Sequence, residues 1–411
     1  MQTDLTPQSH LWLSDSDNVS VINALGPDRA RFVGGCVRNA LWGYDVADID
    51  IATQLEPAAV IKALTDAGIK SVPTGLDHGT VTAVIDGRPI EITSLRKDVA
   101  TDGRRAVVAF TQDWAQDAQR RDFTVNALYA DLNGTIYDPT GQGLEDAKAR
   151  KFRFVGKAED RVAEDYLRIL RYFRFIAWYG ADNKLDAQAL TACRGGIRGL
   201  KSLSAERVWS EIKKTLRAPD PSRALQIMLT NDVLEAIMPE SSNVEGLSKF
   251  IALERREALR PADPLLRVMA MSARNPLPMA LLTKRMKMSK AETARLRDWA
   301  DDGTSFDPGA DERAKLAAIY KTGKRLAMDR CLIRAAGEAD PVLSAKWMSL
   351  VDLALGWTPP VFPLKGKDLA AAGVAPGPGM GKKLDALKAL WVRSGFTADK
   401  QKLLMALKLL G

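Results

Sequence analysis

Apolar and polar positions change their period once along the chain. Up to about residue 155, short alternating runs exchange with runs of helical length. RFVGG (31–35) reads as a strand entering a glycine turn, and CVRNALWG (36–43) as a short helix. ADIDIAT (47–53) alternates polar and apolar residues, the period of a half-buried strand. EPAAVIKALTDAG (56–68) predicts a helix that ends at Gly68, and GTVTAVIDGRPIEITSL (79–95) predicts a hairpin turning at Asp86–Gly87. A mixed sheet flanked by helices follows. From about residue 158 strand signals nearly vanish, and amphipathic runs such as EDRVAEDYLRILRYFRFIAWYG, SAERVWSEIKKTL and PADPLLRVMAMSAR dominate. Helices joined by Pro- or Gly-containing turns continue to about residue 355. PGPGMGKK (376–383) falls short of the P-loop pattern, with Pro376 where the first Gly belongs and Lys383 in place of Ser or Thr. It reads as a turn connecting helices, with basic neighbours. The expected fold class is α+β: a mixed sheet with helices, then an all-helical body.

Composition narrows the chemistry. The 411 residues are too many for one typical core, so two to four units are expected. No run approaches the apolar length of a membrane span, and MQTDLTPQSH lacks the basic start and apolar centre of a signal peptide, so a cytoplasmic protein is expected. Three cysteines, Cys36, Cys193 and Cys331, are too scattered for a disulfide framework or a zinc site. Only two histidines, His10 and His78, are present, which excludes a histidine-rich metal cage and leaves carboxylates and arginines to do any chemistry. The net charge of +8 suits a polyanionic partner, although a soluble basic protein would carry it equally well.

Asp48 and Asp50 stand two apart on the expected strand, so both point to one face while Ile49 and Ile51 point to the other. Two neighbouring carboxylates repel unless a cation neutralises them, and Mg²⁺ suits oxygen ligands shared with substrate phosphates. The plain alternative is two solvated acids. Gly34–Gly35 precedes a helix, where backbone N–H groups can cradle phosphate, or it is simply a tight turn. Arg38 lies one turn into that helix and could hold a triphosphate by its planar fork. Glu91 lies between Ile90 and Ile92 as a possible third carboxylate or an ordinary edge-strand acid. Arg120, Arg121 and Asp122 abut the apolar FTVNALY, either to contact a nucleotide or to pair with one another at the surface. In EDYLRILRYFRF (164–175), read as one helix, Asp165, Arg168, Arg171 and Arg174 recur every third residue. Asp165, Arg168 and Arg171 share a broad face there, offering acceptors and donors to a base edge or forming only a solvated ion-paired face.

In order along the chain, GGCVRNALWG, DIDIAT, DHGTV, EITSLR, TDGRR, RRDFTVNA, IYDPTGQGLEDAKARKFRFVG, EDYLRILRYFRF and LSAERVWSEI resemble the bacterial tRNA nucleotidyltransferase and poly(A) polymerase family, the class II CCA-adding type. GKDLAAAGVAPGPGMGKKLDALKALW resembles the tail of such enzymes. The resemblance implies a polymerase-β-like nucleotidyltransferase head over 1–155. A helical neck over 156–220, a body over 221–355 and a tail over 356–411 would follow, with body and tail binding tRNA. It implies Asp48, Asp50 and Glu91 as catalytic Mg²⁺ ligands. Gly34, Gly35 and Arg38 would lie at the triphosphate, and Arg120, Arg121 and Asp122 at ribose and phosphate. Asp165 and Arg168 would read the incoming cytosine or adenine, with Arg171 and Arg174 as further nucleotide contacts. Asp102–Gly103–Arg104 would belong to a loop that helps switch from C to A. Asn39 departs from the family's usual Asp and keeps only its hydrogen-bonding capacity. The implied reaction is addition of CCA to tRNA from CTP and ATP. Poly(A) polymerase and A-only or CC-only enzymes on the same fold are the near alternatives, and a non-catalytic RNA-binding protein is the distant one.

Overall fold

The computed structural model describes residues 5–101, 106–180, 185–259 and 261–409. These form two compact units, Met1–Ile237 and Met238–Gly411. The strands all belong to the first. They are β1 (Ala30–Val33), β2 (Asp50–Thr53), β3 (Lys70–Gly75), β4 (Thr80–Ile85), β5 (Arg88–Ser94), β6 (Arg96–Thr101), β7 (Ala106–Phe110), β8 (Tyr129–Ala130) and β9 (Ile136–Tyr137). Seven of them build one sheet in the order β3-β4-β5-β2-β1-β8-β9, while β6 and β7 pair separately. Only β2 and β5 run parallel; the other pairings are antiparallel, so the sheet is mixed as expected. The β4–β5 hairpin turns at Asp86 and Gly87, both at positive φ (49° and 80°), the conformation that an Asp-Gly turn supplies. Asp102–Gly103–Arg104 fall outside the described residues.

Helices cover the sheet and then replace it. The first unit contains α1 (Ser16–Leu25), α2 (Gly35–Leu41), α3 (Pro57–Asp66), α4 (Trp114–Gln119), α5 (Gly143–Lys148), α6 (Ala158–Glu164), α7 (Leu167–Tyr179), α8 (Ala187–Gly195), α9 (Ala205–Leu216), α10 (Ser222–Thr230) and α11 (Val233–Ile237). Just before β2 burial alternates as expected, with Asp48 exposed and Ile49 inside, but from Ile51 to Thr53 every residue is buried, so the alternation stops within the strand. The strand itself begins at Asp50, so Asp48 sits two residues before the ladder rather than within it. Val33, Ala52, Leu95, Ala118, Ala127, Tyr129 and Val155 pack together under this face.

The single helix expected from residue 164 is two. Asp165 is extended (φ −151°, ψ 103°) and separates α6 from α7. Its Oδ1 accepts from Leu167 N–H at 3.0 Å, and its carbonyl accepts from Arg168 N–H at 2.9 Å. Aspartate competes for backbone N–H groups and so caps helices more readily than it continues them. Asp165 therefore stands before the helix face carrying Arg168, Arg171 and Arg174.

The second unit is all helix among the described residues. It contains α12 (Val244–Arg256), α13 (Pro264–Met271), α14 (Pro276–Arg285), α15 (Lys290–Asp301), α16 (Glu312–Thr322), α17 (Lys324–Gly337), α18 (Pro341–Gly356), α19 (Gly366–Ala371), α20 (Pro378–Arg393) and α21 (Lys400–Leu407). Phe250, Leu332, Trp347 and Val351 centre one core, and Leu369, Leu387, Trp391 and Leu403 another. The glycine-proline segment read as an inter-helix turn extends only to Gly377 (φ 144°); from Pro378 it is already α20, because proline suits the first helical turn. Among the described residues no helix is long and apolar enough to cross a membrane.

Candidate functional site

Strand β1 delivers the chain to Gly34, whose φ of 75° is a conformation that a side chain would strain. A Cβ on Gly34 would lie 3.7 Å from Nη1 of Arg121, so the glycine turn and that guanidinium are neighbours. Beside β1, the parallel pairing of β2 with β5 sets Asp50 directly against Glu91. Register partners on adjacent strands share a face, and these two carboxylates do so inside the sheet. Glu91 is exposed between buried Ile90 and Ile92, and β5 lies between β4 and β2, so Glu91 is not an edge-strand acid.

The electrostatics agree. Burial raises the Asp50 carboxyl above its ordinary range, and the charges of Glu91 and Asp48 add to it, while Arg121 and Arg38 pull the other way. Three acids and two arginines thus act on one spot. Among the described residues no three His, Cys, Asp or Glu side chains converge tightly enough to cage an ion by themselves. Cys36 packs behind this spot, and burial pushes its thiol up to about 11, which leaves it unreactive at neutral pH.

Arg120 and Arg121 both turn to a residue that the sequence did not single out. Asp117 of α4 is 1% exposed. Its Oδ1 accepts from Arg120 Nε at 2.9 Å, and its Oδ2 accepts from Arg121 Nε at 3.0 Å and from the Tyr129 hydroxyl at 2.7 Å. Burial alone would raise Asp117, but the two guanidiniums and the phenol hold it down at about 2. Arg120 also donates to the Arg96 carbonyl at 3.1 Å. Asp117 and Tyr129 take Nε and Nη2 of Arg121, leaving Nη1 on the Gly34 side. These are buried pairs, not the surface pairing that was the plain alternative.

Asp122 lies behind the site. Its Oδ1 accepts from Phe123 N–H and from Asn126 Nδ2, each at 2.9 Å, and its Oδ2 accepts from Arg171 Nε at 2.8 Å. Burial opposes its charge, yet Arg171 and Asn126 hold it at about 2. Asn126 in turn accepts from Nη1 of Arg38. Arg38 is buried, at 6% exposure, and burial lowers its proton affinity. It donates from Nη2 to Asn39 Oδ1 at 2.8 Å and to the Tyr179 hydroxyl at 3.1 Å. Its guanidinium also lies over Tyr179 and Phe175 at 4.8 and 4.9 Å. Asn39 therefore accepts from Arg38 without adding a charge. The chain Arg38–Asn126–Asp122–Arg171 ties α2 to α7. Arg174 points elsewhere, to Glu211 of α9 at 2.7 Å.

At the α6–α7 break Asp165 and Arg168 are sequence neighbours across one turn but are not paired with each other. Asp165 Oδ2 accepts from Arg207 of α9 at 2.7 Å, and Arg168 pairs with Glu164 at 2.5 Å. Arg168 also donates to the Arg120 carbonyl at 3.1 Å, which links this turn to the RRD segment. Arg207 is a second residue that the sequence did not flag; its partner is 42 positions away.

Replacing the hub has a defined outcome. Asp117→Asn leaves two buried guanidiniums short of their charge partner, which costs about 3–5 kcal/mol. Thermal unfolding at pH 7 reads this as a lowered Tm. Because the folded pKa of Asp117 is depressed to about 2, its contribution is present above the unfolded value near 4 and is lost as pH falls toward 2. The wild-type Tm falls across that window, and the Asn variant falls less steeply.

Comparison with known proteins adds an independent finding. Residues 30–153 match the family model described as the poly A polymerase head domain. Residues 184–244 match the model described as a probable RNA and SrmB-binding site of polymerase A. The mitochondrial CCA tRNA nucleotidyltransferase 1 of Danio rerio is 34% identical over 390 residues, covering 92% of this chain and 86% of the relative. A CCA-adding enzyme of Streptococcus pyogenes is 39% identical over 224 residues, 54% of each chain. The crystal structure of the Bacillus stearothermophilus CCA-adding enzyme in complex with CTP superposes with a TM-score of 0.75 at 27% identity, covering 95% of this chain and 96% of that one.

Proposed function

The chain belongs to the family of CCA-adding tRNA nucleotidyltransferases, and on that premise we infer that it adds C, C and A to the 3′ end of tRNA without a nucleic-acid template, from CTP and ATP, releasing pyrophosphate. One observation carries the reading down to residues: the pairing of Asp50 with Glu91 beside Arg121 and the Gly34 turn.

The tRNA 3′ hydroxyl attacks the α-phosphorus of the bound triphosphate. The new P–O bond forms as the bond to pyrophosphate breaks, and the hydroxyl proton leaves to solvent. Such a transfer asks the protein mainly for positioning and charge. Mg²⁺ would be held by Asp50 and Glu91, register partners on neighbouring strands, with Asp48 two residues before Asp50; their hard oxygens suit it, and substrate phosphate and water would complete its shell. When bound, it supplies charge neutralisation for the attacking and departing oxygens. Gly34 and Gly35 keep the backbone open to the triphosphate. Arg121 holds a phosphate oxygen through Nη1 while Asp117 fixes its plane, and Arg120 braces the same segment. Arg38, Asp122 and Arg171 set the position of α7, and Arg174 braces α7 against α9. Asp165 and Arg168 read the pairing edge of cytosine or adenine, Asp165 with its carboxylate oriented by Arg207.

We also keep the division into head (1–155), neck (156–220), body (221–355) and tail (356–411), the last two binding tRNA through phosphates and shape. A cytoplasmic location is part of this proposal; the Danio rerio relative is named as mitochondrial. Because the head matches a model named for poly(A) polymerase, the alternative is repeated addition of A. Supplying single nucleotides to tRNA lacking its end separates the two. CTP alone gives addition of C only, and ATP alone gives none; a long tail from ATP alone supports the alternative.

A further inference from the structure

The second unit holds a cleft of about 520 Å³ none of whose residues has been given a role above. Three arginines line it: Arg274, in the segment after α13, and Arg330 and Arg334, one turn apart on α17. Aromatic rings back them. The Arg330 guanidinium lies 5.1 Å over the ring of Phe306, and that of Arg334 lies 5.6 Å over Trp347. Trp299 of α15 completes the lining, and its carbonyl accepts from Arg274 Nε at 3.0 Å.

The charge in this cleft is not balanced locally. Arg330 pairs with Asp302 at 2.8 Å. Among the described residues Arg274 donates only to the carbonyls of Trp299 and Asp302. Among the described residues Arg334 has no hydrogen bond or ion pair, only its ring contact. The one acid lining the cleft, Glu338, turns Oε1 to the backbone N–H groups of Ala339 and Asp340. Burial lowers the proton affinity of Arg330, and Arg274 and Arg334 lower it further, against the pull of Asp302. The arginines therefore repel one another in a half-enclosed space that an anion would relieve.

We propose that this cleft is a second anion site, which takes a phosphate-bearing group of nucleotide size. Guanidinium forks match phosphate oxygens two at a time, and rings stacked beneath two of them fix the planes from which they donate. The volume lies within the range of about 300–1,000 Å³ usual for small-ligand sites, several times a bare phosphate. A free nucleotide or one nucleotide turned out of an RNA chain presents the same chemistry. The inference is independent of the head-site reaction.

The test is calorimetric titration of the full chain, in EDTA, with CMP, with pyrophosphate and with tRNA, using citrate as a non-phosphate anion. The Arg274→Gln/Arg334→Gln double variant is compared with wild type and with Asp50→Ala, and melting temperatures are matched. The expected result is a binding event that Asp50→Ala keeps and the double variant weakens about tenfold or more, as for loss of charge-assisted hydrogen bonds. Weakening for CMP and pyrophosphate assigns a free ligand, and weakening for tRNA alone assigns an RNA phosphodiester. Arg334→Gln by itself, at an exposed residue without a polar partner, keeps the test open if the double variant fails to fold. Equal binding of every probe by wild type and variant, no binding to wild type, or citrate binding as tightly as CMP overturns the proposal.

Discussion

Asp50→Ala is expected to stop nucleotide addition, lowering the rate by at least about a thousandfold, equivalent to about 4 kcal/mol of lost transition-state stabilisation. Asp50 is the pivot of the carboxylate group. It begins β2, faces Glu91 across the parallel ladder, and carries the raised proton affinity that burial and two neighbouring acids impose. Removing it relieves repulsion, so the variant folds at least as well as wild type and its Tm does not fall. Glu91→Ala is expected to lose activity by a similar order, because the sheet places it on the same face. Affinity for tRNA, measured by filter binding, stays within about twofold, because phosphate contacts by basic residues supply most of it. Addition by Asp50→Ala at a tenth of the wild-type rate or better would remove these carboxylates from the reaction.

The second large effect concerns selection of the base. With Asp165→Ala, discrimination against UTP and GTP is expected to fall by about tenfold to a hundredfold, the span of one well-placed polar pair at a base edge. CTP and ATP are still added, more slowly. Arg207→Gln frees the Asp165 carboxylate from its partner at 2.7 Å and shifts selectivity in the same direction by a smaller factor. Restoring a cation with Arg207→Lys recovers part of it. Competition assays with paired triphosphates give the ratio of kcat/KM directly. A variant at Asp165 that keeps wild-type ratios while slowing every nucleotide equally would make this residue a support for α7 and not a reader.

Local patterning revealed much of this site and missed its cross-connections. The Gly34 turn and the Asp86–Gly87 hairpin depend on nearest neighbours, and each appears where the sequence places it. The pairing of Asp50 with Glu91 depends on β5 lying beside β2, a sheet order that no period along the chain encodes. Asp117 was hidden for a related reason. In WAQDAQ it looks like one more helical acid, and its meaning comes from Arg120, Arg121 and Tyr129 folding onto it. The three-residue rhythm from Asp165 to Arg174 misled in the opposite way. The rhythm is real within α7, but Asp165 precedes that helix, because its side chain takes the Leu167 N–H. Arg171 and Arg174, read as nucleotide contacts, pair with Asp122 and Glu211.

The aromatic contacts hold α7 against α2. Phe175 and Tyr179 flank the Arg38 guanidinium, and Tyr179 also meets Trp42 at 5.1 Å between ring centroids. A buried cation held against rings and neutral acceptors resists rotation, so α2 and α7 move together. The departure at Asn39 belongs to this arrangement. Its Oδ1 receives two bonds from Arg38, and as a neutral acceptor it adds no charge to that of Asp122.

The central claim is tested most directly by sequencing the 3′ ends made on tRNA lacking its terminus, with Mg²⁺ and all four nucleoside triphosphates supplied together. The account predicts growth by C, C and A followed by a stop, with no U or G and no further A. Absence of any incorporation, or an A tail of indefinite length, would contradict it.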